Sequence, residues 1–157
     1  MQEHRQDAGP AGSDTRLVLH ATTVALHGAG VLIKGASGQG KSSLALHLMA
    51  LGAGLVADDR TCIWREDHGA EGGQIVADAP DVLRGRIEAR GIGILGAAAV
   101  GPCRIGLIVD LDRTEEARLP PFRTAEILGI ALPLLHRVET PAFPAGILQY
   151  LVAGRVA

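Results

Sequence analysis

From Arg16 onward, β-favouring residues gather at Leu17, Val18, Leu19, Thr22, Thr23, Val24 and Leu26. This pattern predicts one or two strands, ended by a turn at His27-Gly28-Ala29-Gly30. Residues 31–34 read as a short buried strand and 35–40 as a glycine loop. Residues 41–51 read as a helix, with Leu44, Leu48 and Leu51 at helical spacing. Gly52 and Gly54 can end that helix, and Leu55-Val56-Ala57 makes a strand that stops at Asp58-Asp59. A strand, a helix and a strand with so short a return predict a βαβ crossover and two parallel strands. Beyond it, residues 67–73 predict a charged hairpin or loop, 74–77 a short strand, and 105–111 a second clear buried strand. Residues 84–95 alternate glycine with charge. Residues 124–128 predict a helical piece and 145–153 another, with Pro133, Pro141 and Pro144 as breaks. The chain has no internal repeat.

A length of 157 residues fits one domain with its own core, and 47% apolar against 20% charged residues excludes disorder for most of the chain. Residues 1–15 are the exception: Glu3, Asp7 and Asp14 mix with Gly9, Pro10 and Gly12, which predicts a disordered tail before a domain spanning 16–157. A net charge of −2 and 3% aromatics argue against nucleic-acid binding, which rests on clustered cations and stacking platforms. No run of 18 apolar residues is present, so no membrane partner is expected. Cys62 and Cys103 form neither a disulfide framework nor a CxxC site, which favours a reducing, cytoplasmic setting.

Lysine occurs only at positions 34 and 41. Lys41 falls inside Gly35-Ala36-Ser37-Gly38-Gln39-Gly40-Lys41-Ser42, which satisfies GxxxxGK[ST] between a strand and a helix. In that setting loop amides and the helix N-terminus converge on phosphate oxygens, Lys41 reaches the β and γ phosphates, and Ser42 can ligate Mg²⁺. The chain contains no Asn and neither Lys is followed two residues later by Asp, so the [NT]KxD guanine reader of GTPases is absent. A nucleoside triphosphate with Mg²⁺, ATP foremost, is the expected ligand.

Phosphoryl transfer needs a carboxylate near the metal and often another to accept the acceptor's proton. Asp58-Asp59 ends the strand after the loop helix, and Asp110 follows residues 105–109 as a Walker B acid would. Adjacent carboxylates on an extended strand point to opposite sides, so Asp58 and Asp59 can take different roles. Glu88-Ala89-Arg90-Gly91-Ile92-Gly93-Ile94 joins a carboxylate and an Arg to two glycines; alone it also reads as a surface turn with an ion pair. His20 and Arg118 carry no signal by themselves. Three readings stay open on the residues: a protein-serine kinase, a small-molecule kinase with Asp110 at the metal and Arg84, Arg86 and Arg90 as a lid, and a non-catalytic nucleotide sensor.

His20, Gly30-Val31-Leu32-Ile33, the phosphate loop, Leu55-Val56-Ala57-Asp58-Asp59 and Ile87 to Ile94 occur in an order that resembles the catalytic domain of HPr kinase/phosphorylase, in its short single-domain form. The resemblance covers residues 19–146. It implies an α/β fold of the HPr kinase and PEP carboxykinase type, a mixed β-sheet flanked by helices. It implies phosphorylation of a serine on HPr or a nitrogen-branch paralogue, with the reverse phosphorolysis, in regulation of the phosphotransferase system. By the same resemblance Lys41 holds the phosphates, and Ser42, Glu88 and Asp58 belong to the Mg²⁺ site. Asp59 is acid and base with His20 beside it, Arg118 meets the transferring phosphate, and the family's homo-oligomer is a hexamer. The chain departs from the family pattern at Ser43, where Glu is usual, and at Pro141-Ala142-Phe143-Pro144-Ala145-Gly146, which no Arg follows.

Overall fold

The computed structural model describes residues 15–157, so the expected tail falls almost wholly outside the described residues. The chain opens with β1 (Arg16–Leu19), β2 (Ala21–Leu26) and β3 (Ala29–Lys34), then α1 (Lys41–Ala50) and β4 (Gly54–Ala57). A hairpin of β5 (Thr61–Asp67) and β6 (Gly73–Asp78) follows, then a smaller one of β7 (Arg86–Ala89) and β8 (Gly93–Gly96). The last elements are the long β9 (Cys103–Thr114), β10 (Arg123–Ile127), β11 (Ile130–Arg137) and α2 (Phe143–Ala153).

The main sheet runs β1-β5-β6-β9-β3-β2-β4. Beyond its short contact with β6, β9 is paired in parallel by β11, and β10 hangs from β11. The pairings β3 with β9 and β9 with β11 are parallel and the rest antiparallel, so the sheet is mixed, as expected. Its centre is buried on both faces. Val31, Ile33, Leu107, Val109 and Leu111 join the core beneath α1 and α2, where Leu44, Leu48, Ile147 and Leu148 are buried. Leu32, Ile105 and Ile108 face the other way, toward Ile63, Ile75 and Leu132. Ile105 and Leu107 would share a face in a regular strand. A bulge in the β3–β9 register, which steps from Ile105 to Leu107, puts them on opposite faces.

The second face is filled by the sheet itself, which curls until β2 meets β5. Thr61 Oγ1 donates to the Ala21 carbonyl at 2.9 Å and lies 3.0 Å from Thr23 Oγ1, although three strands separate β2 from β5 in the sheet order. The antiparallel pairing of β2 with β4, Thr23 opposite Ala57, brings the β1–β2 corner at His20 to the end of β4.

Four local expectations change. The strands on either side of α1 do run the same way, but they are not neighbours, because β2 lies between them, antiparallel to both. The cause is the tight turn at His27-Gly28, with φ of 51° and 79°, which returns β2 straight alongside β3 and occupies that edge before β4 arrives. Residues 124–128 are not helical: they form β10 and enter a second turn of the same kind at Leu128-Gly129, with φ of 47° and 80°. Pro133 lies inside β11, opposite Thr124, and does not break it. Residues 145–153 are helical, but α2 begins at Phe143, with Pro144 tolerated in its first turn, where no helical N–H bond is lost.

Candidate active site

Residues 35–40 join β3 to α1 as a loop that the local sequence dictates. Gly38 and Gly40 take φ of 85° and 94°, values that carry a steric penalty for any residue with a Cβ. Gly40 caps α1 in that left-handed conformation, so Lys41 starts the helix at the loop's mouth. At the far end Gly52 closes α1: the amides of Gly52 and Ala53 donate to the carbonyls of Met49 and Leu48, the Schellman pattern. Lys41 is buried, and its Nζ donates to the Gly35 carbonyl at 2.8 Å, an internal partner that phosphate oxygens can replace.

The loop is braced from two neighbouring strands by residues that the sequence did not single out. Asp112 of β9 accepts the Ala36 amide at 2.9 Å. Arg137, ending β11, donates to the Leu111 carbonyl at 3.1 Å and to both oxygens of Gln39. Their only sequence signal is polarity at the end of an apolar strand.

Asp58 and Asp59 separate as expected, but by a different device. Asp59 has φ of 64°, so a left-handed residue rather than strand alternation divides the two carboxylates. Asp58 is buried: its Oδ1 accepts the hydroxyls of Thr22 at 3.0 Å and Ser42 at 2.7 Å, and its Oδ2 accepts the Glu88 amide at 2.9 Å. It thus ties β2, α1 and β7 together. Asp59 projects outward, its amide bonded to Thr22 Oγ1 at 3.1 Å, and its Oδ1 lies 2.5 Å from His20 Nε2. Thr22 serves both acids and was not picked out from the sequence.

Lys41, Ser42, Asp59, Glu88 and Arg90 line one polar cleft of about 320 Å³, with Ser37, Gly38, Gly40 and Ser43 as its loop wall. Arg90 stands there unpaired with Glu88, and Ser43 faces it also. Two expected participants are elsewhere. Arg118 is exposed in the segment between β9 and β10 and does not line the cleft. Asp110 is buried away from it, accepting the Asp112 amide at 2.9 Å with Lys34 Nζ at 4.0 Å. Arg84 is bound bidentately to Asp78, at 2.7 and 3.1 Å. The small-molecule-kinase arrangement therefore lacks both its acid and most of its lid.

The HPr serine kinase C-terminal domain model matches residues 14–127, most of the chain. The chain belongs to that family. Among its relatives, HPr kinase/phosphorylase of Lactobacillus acidophilus is 42% identical over 100 residues, 59% of this chain and 30% of that protein. The Latilactobacillus sakei protein of the same name is 43% identical over 104 residues, 62% of this chain and 32% of that protein. The chain thus spans about a third of the length of the curated relatives it matches. A solved structure, the Hpr(Ser) kinase/phosphatase from Coxiella burnetii, superposes with a TM-score of 0.65 at 28% identity, covering 87% of this chain and 88% of that one. The family match spans His20, the phosphate loop, the acid pair, Glu88 and Arg118.

Proposed function

We propose that residues 16–157 form an ATP-dependent protein-serine kinase domain, with HPr or a paralogous phosphocarrier as acceptor, acting in the cytoplasm in regulation of the phosphotransferase system. The observation that carries this reading is the single cleft in which Asp59 faces the phosphate loop and Lys41. On one side are donors for a polyphosphate. On the other is an exposed carboxylate whose Oδ1 is engaged by His20, leaving Oδ2 for an incoming hydroxyl.

The acceptor serine Oγ attacks the γ-phosphorus as the bond to the β-phosphate oxygen breaks. Its proton passes to Asp59, and ADP leaves. Lys41 neutralises charge on the transferring group, and the loop amides hold the β-phosphate. Asp59 keeps its orientation through His20 and the Thr22 hydroxyl. In the reverse direction an oxygen of inorganic phosphate attacks the phosphorus of phosphoserine, the bond from phosphorus to the serine oxygen breaks to give pyrophosphate, and protonated Asp59 gives the proton to the departing serine oxygen. An oxygen-only donor set, the Ser42 hydroxyl and the Glu88 carboxylate with Asp58 2.7 Å behind Ser42, suits Mg²⁺, a hard cation that prefers few protein ligands. Bound there, Mg²⁺ supplies charge neutralisation on the nucleotide phosphates. Arg118 can reach the acceptor phosphate only if its segment moves or a second copy of the chain supplies it, which fits assembly as a homo-oligomer such as the family hexamer.

The test is transfer from γ-labelled ATP to purified HPr. Wild type labels a serine. Lys41→Ala and Asp59→Asn each lower the rate by about 10²-fold or more. ATP binding without label on HPr would remove this acceptor from consideration.

A further inference from the structure

The segment between β9 and β10 carries Arg118 and is gripped at both ends. At its base the Glu115 amide donates to the Arg137 carbonyl at 2.8 Å, and the Glu115 carboxylate accepts two bonds from Arg123, at 3.0 and 3.2 Å. At its far end a single side chain from beyond α2 holds three consecutive residues. Arg155 donates to the Pro120 carbonyl and, at 3.4 Å, to the Pro121 carbonyl, and its guanidinium lies 4.1 Å over the Phe122 ring. Gly154, with φ of 76°, turns the chain out of α2 just before it, in a conformation that a Cβ would penalise.

We propose that Arg155 is a positioning residue for phosphoryl transfer: it latches this segment to the end of α2 and so sets where Arg118 stands. The inference rests on the reading of Arg118 as the group that meets the acceptor phosphate, and it adds what holds that group in place. α2 is itself fixed, because Ile147 and Leu148 are buried with Leu44 and Leu48 of α1, the helix behind the phosphate loop. Rigidity passes from Arg155 toward Arg118 through a stiff run. Each proline ring locks its own φ, Pro121 keeps Pro120 out of the helical region, and Pro120 does the same to Leu119. Residues 116–119 alone are left between the two grips, with Arg118 exposed among them. Prolines have no N–H with which to tie the segment by strand pairing, so a side-chain donor must do it. Arginine suits that task, since its planar fork reaches adjacent carbonyls while its face stacks on an aromatic ring. A segment held this way does not swing into the cleft of its own chain, so Arg118 is offered outward, to the cleft of a second copy.

Limited trypsin digestion followed by mass spectrometry, and labelling of HPr from γ-labelled ATP, test this on the whole chain. Arg155→Gln and Phe122→Ala open the latch from its two sides, both at exposed or half-exposed positions. Cleavage after Arg118 should quicken about 10-fold in the first and about threefold in the second. Cleavage after Arg60, which requires the sheet to open, should stay within about twofold of wild type. Arg155→Lys, which keeps the charge without the fork, should fall between wild type and Arg155→Gln. Across the three variants the kcat/KM for HPr should drop in step with the rise in cleavage after Arg118, while ATP affinity stays within about twofold. Unchanged cleavage after Arg118 overturns the latch. Quickened cleavage with unchanged or increased labelling overturns the positioning role, as does a matching loss of ATP affinity. If wild type leaves HPr unlabelled, the acceptor reading falls, and cleavage after Arg118 decides the latch by itself: it stands if quickened and falls if not.

Discussion

Asp58 accepts three hydrogen bonds, from Thr22, Ser42 and the Glu88 amide, whereas Asp59, one residue on, is largely exposed and touches His20. Their amides should therefore behave oppositely. Asp58→Asn sets an NH₂ against donors and leaves buried groups unpaired, a cost of about 1–3 kcal/mol, readable as a lowered melting temperature. Asp59→Asn keeps a residue type that tolerates the left-handed conformation, so stability should stay within about 0.5 kcal/mol while serine labelling is lost. Equal destabilisation of the two variants would contradict this division of roles. That an acid pair ends the strand after the loop helix was legible in the sequence. Which one is buried followed from Thr22, 36 residues earlier, and periodicity gives no access to that.

The β7–β8 hairpin carries Glu88 and Arg90 and pairs as strands only with itself, so it is held by the Asp58 bond to the Glu88 amide, by buried Ile87 and by the way the chain enters it. Asp78, at the end of β6, grips Arg84 with both oxygens and accepts the Ala79 amide, which pins the connection into β7. Partial burial by itself would raise the Asp78 carboxyl; the Arg84 guanidinium and the Ala79 amide outweigh it and hold it below its ordinary value. A carboxyl lowered in the folded state contributes stability above its unfolded pKa of about 3.9 and loses it as pH falls. The stability gap between wild type and Asp78→Asn, measured by urea denaturation, should thus be wide at about pH 6 and narrower at about pH 3. A gap that is constant with pH would dissociate the ion pair from the anchoring. By contrast, the buried Cys103 thiol is pushed up to about 11, by burial first and by Asp78 second, so it behaves as a small core group. At this scale α1 and the central strands were legible because loop and caps are written locally. β10 was not, since Ala125, Ile127 and Leu128 suit a helical face as well as a strand, and a Leu-Gly turn lacks the usual Asn-Gly signal.

Across the whole molecule the pairing of β2 with β4 assembles the cleft, bringing His20 just before β2 to Asp59 just after β4, while the sheet curls until β2 also meets β5. Thr61, Thr23 and the Ala21 carbonyl fasten β5 to β2 across that curl, all buried. Thr61→Val keeps the volume and deletes the hydroxyl. It should lower stability by about 1–3 kcal/mol, seen as a reduced urea midpoint at unchanged slope, because the link holds one cooperative unit together. A loss confined to β1 and β5, with the rest of the exchange-protected core untouched, would show that the curl does not depend on this link.

The sequence by itself determined the phosphate loop, the helix behind it, the buried central strands and the candidate acids, because each is encoded within a few residues by backbone conformation, periodicity or side-chain chemistry. Tertiary structure alone decided that β2 separates β3 from β4, that Asp58 is a buried tie while Asp59 faces the cleft, and that Asp112 and Arg137 brace the loop. It also decided that Asp110 and Arg118 stand outside the cleft. These outcomes depend on pairing between segments tens of residues apart and on the direction of the curl. Such pairings are set by the burial of both sheet faces at once, a property of the packed chain and not of any stretch of it.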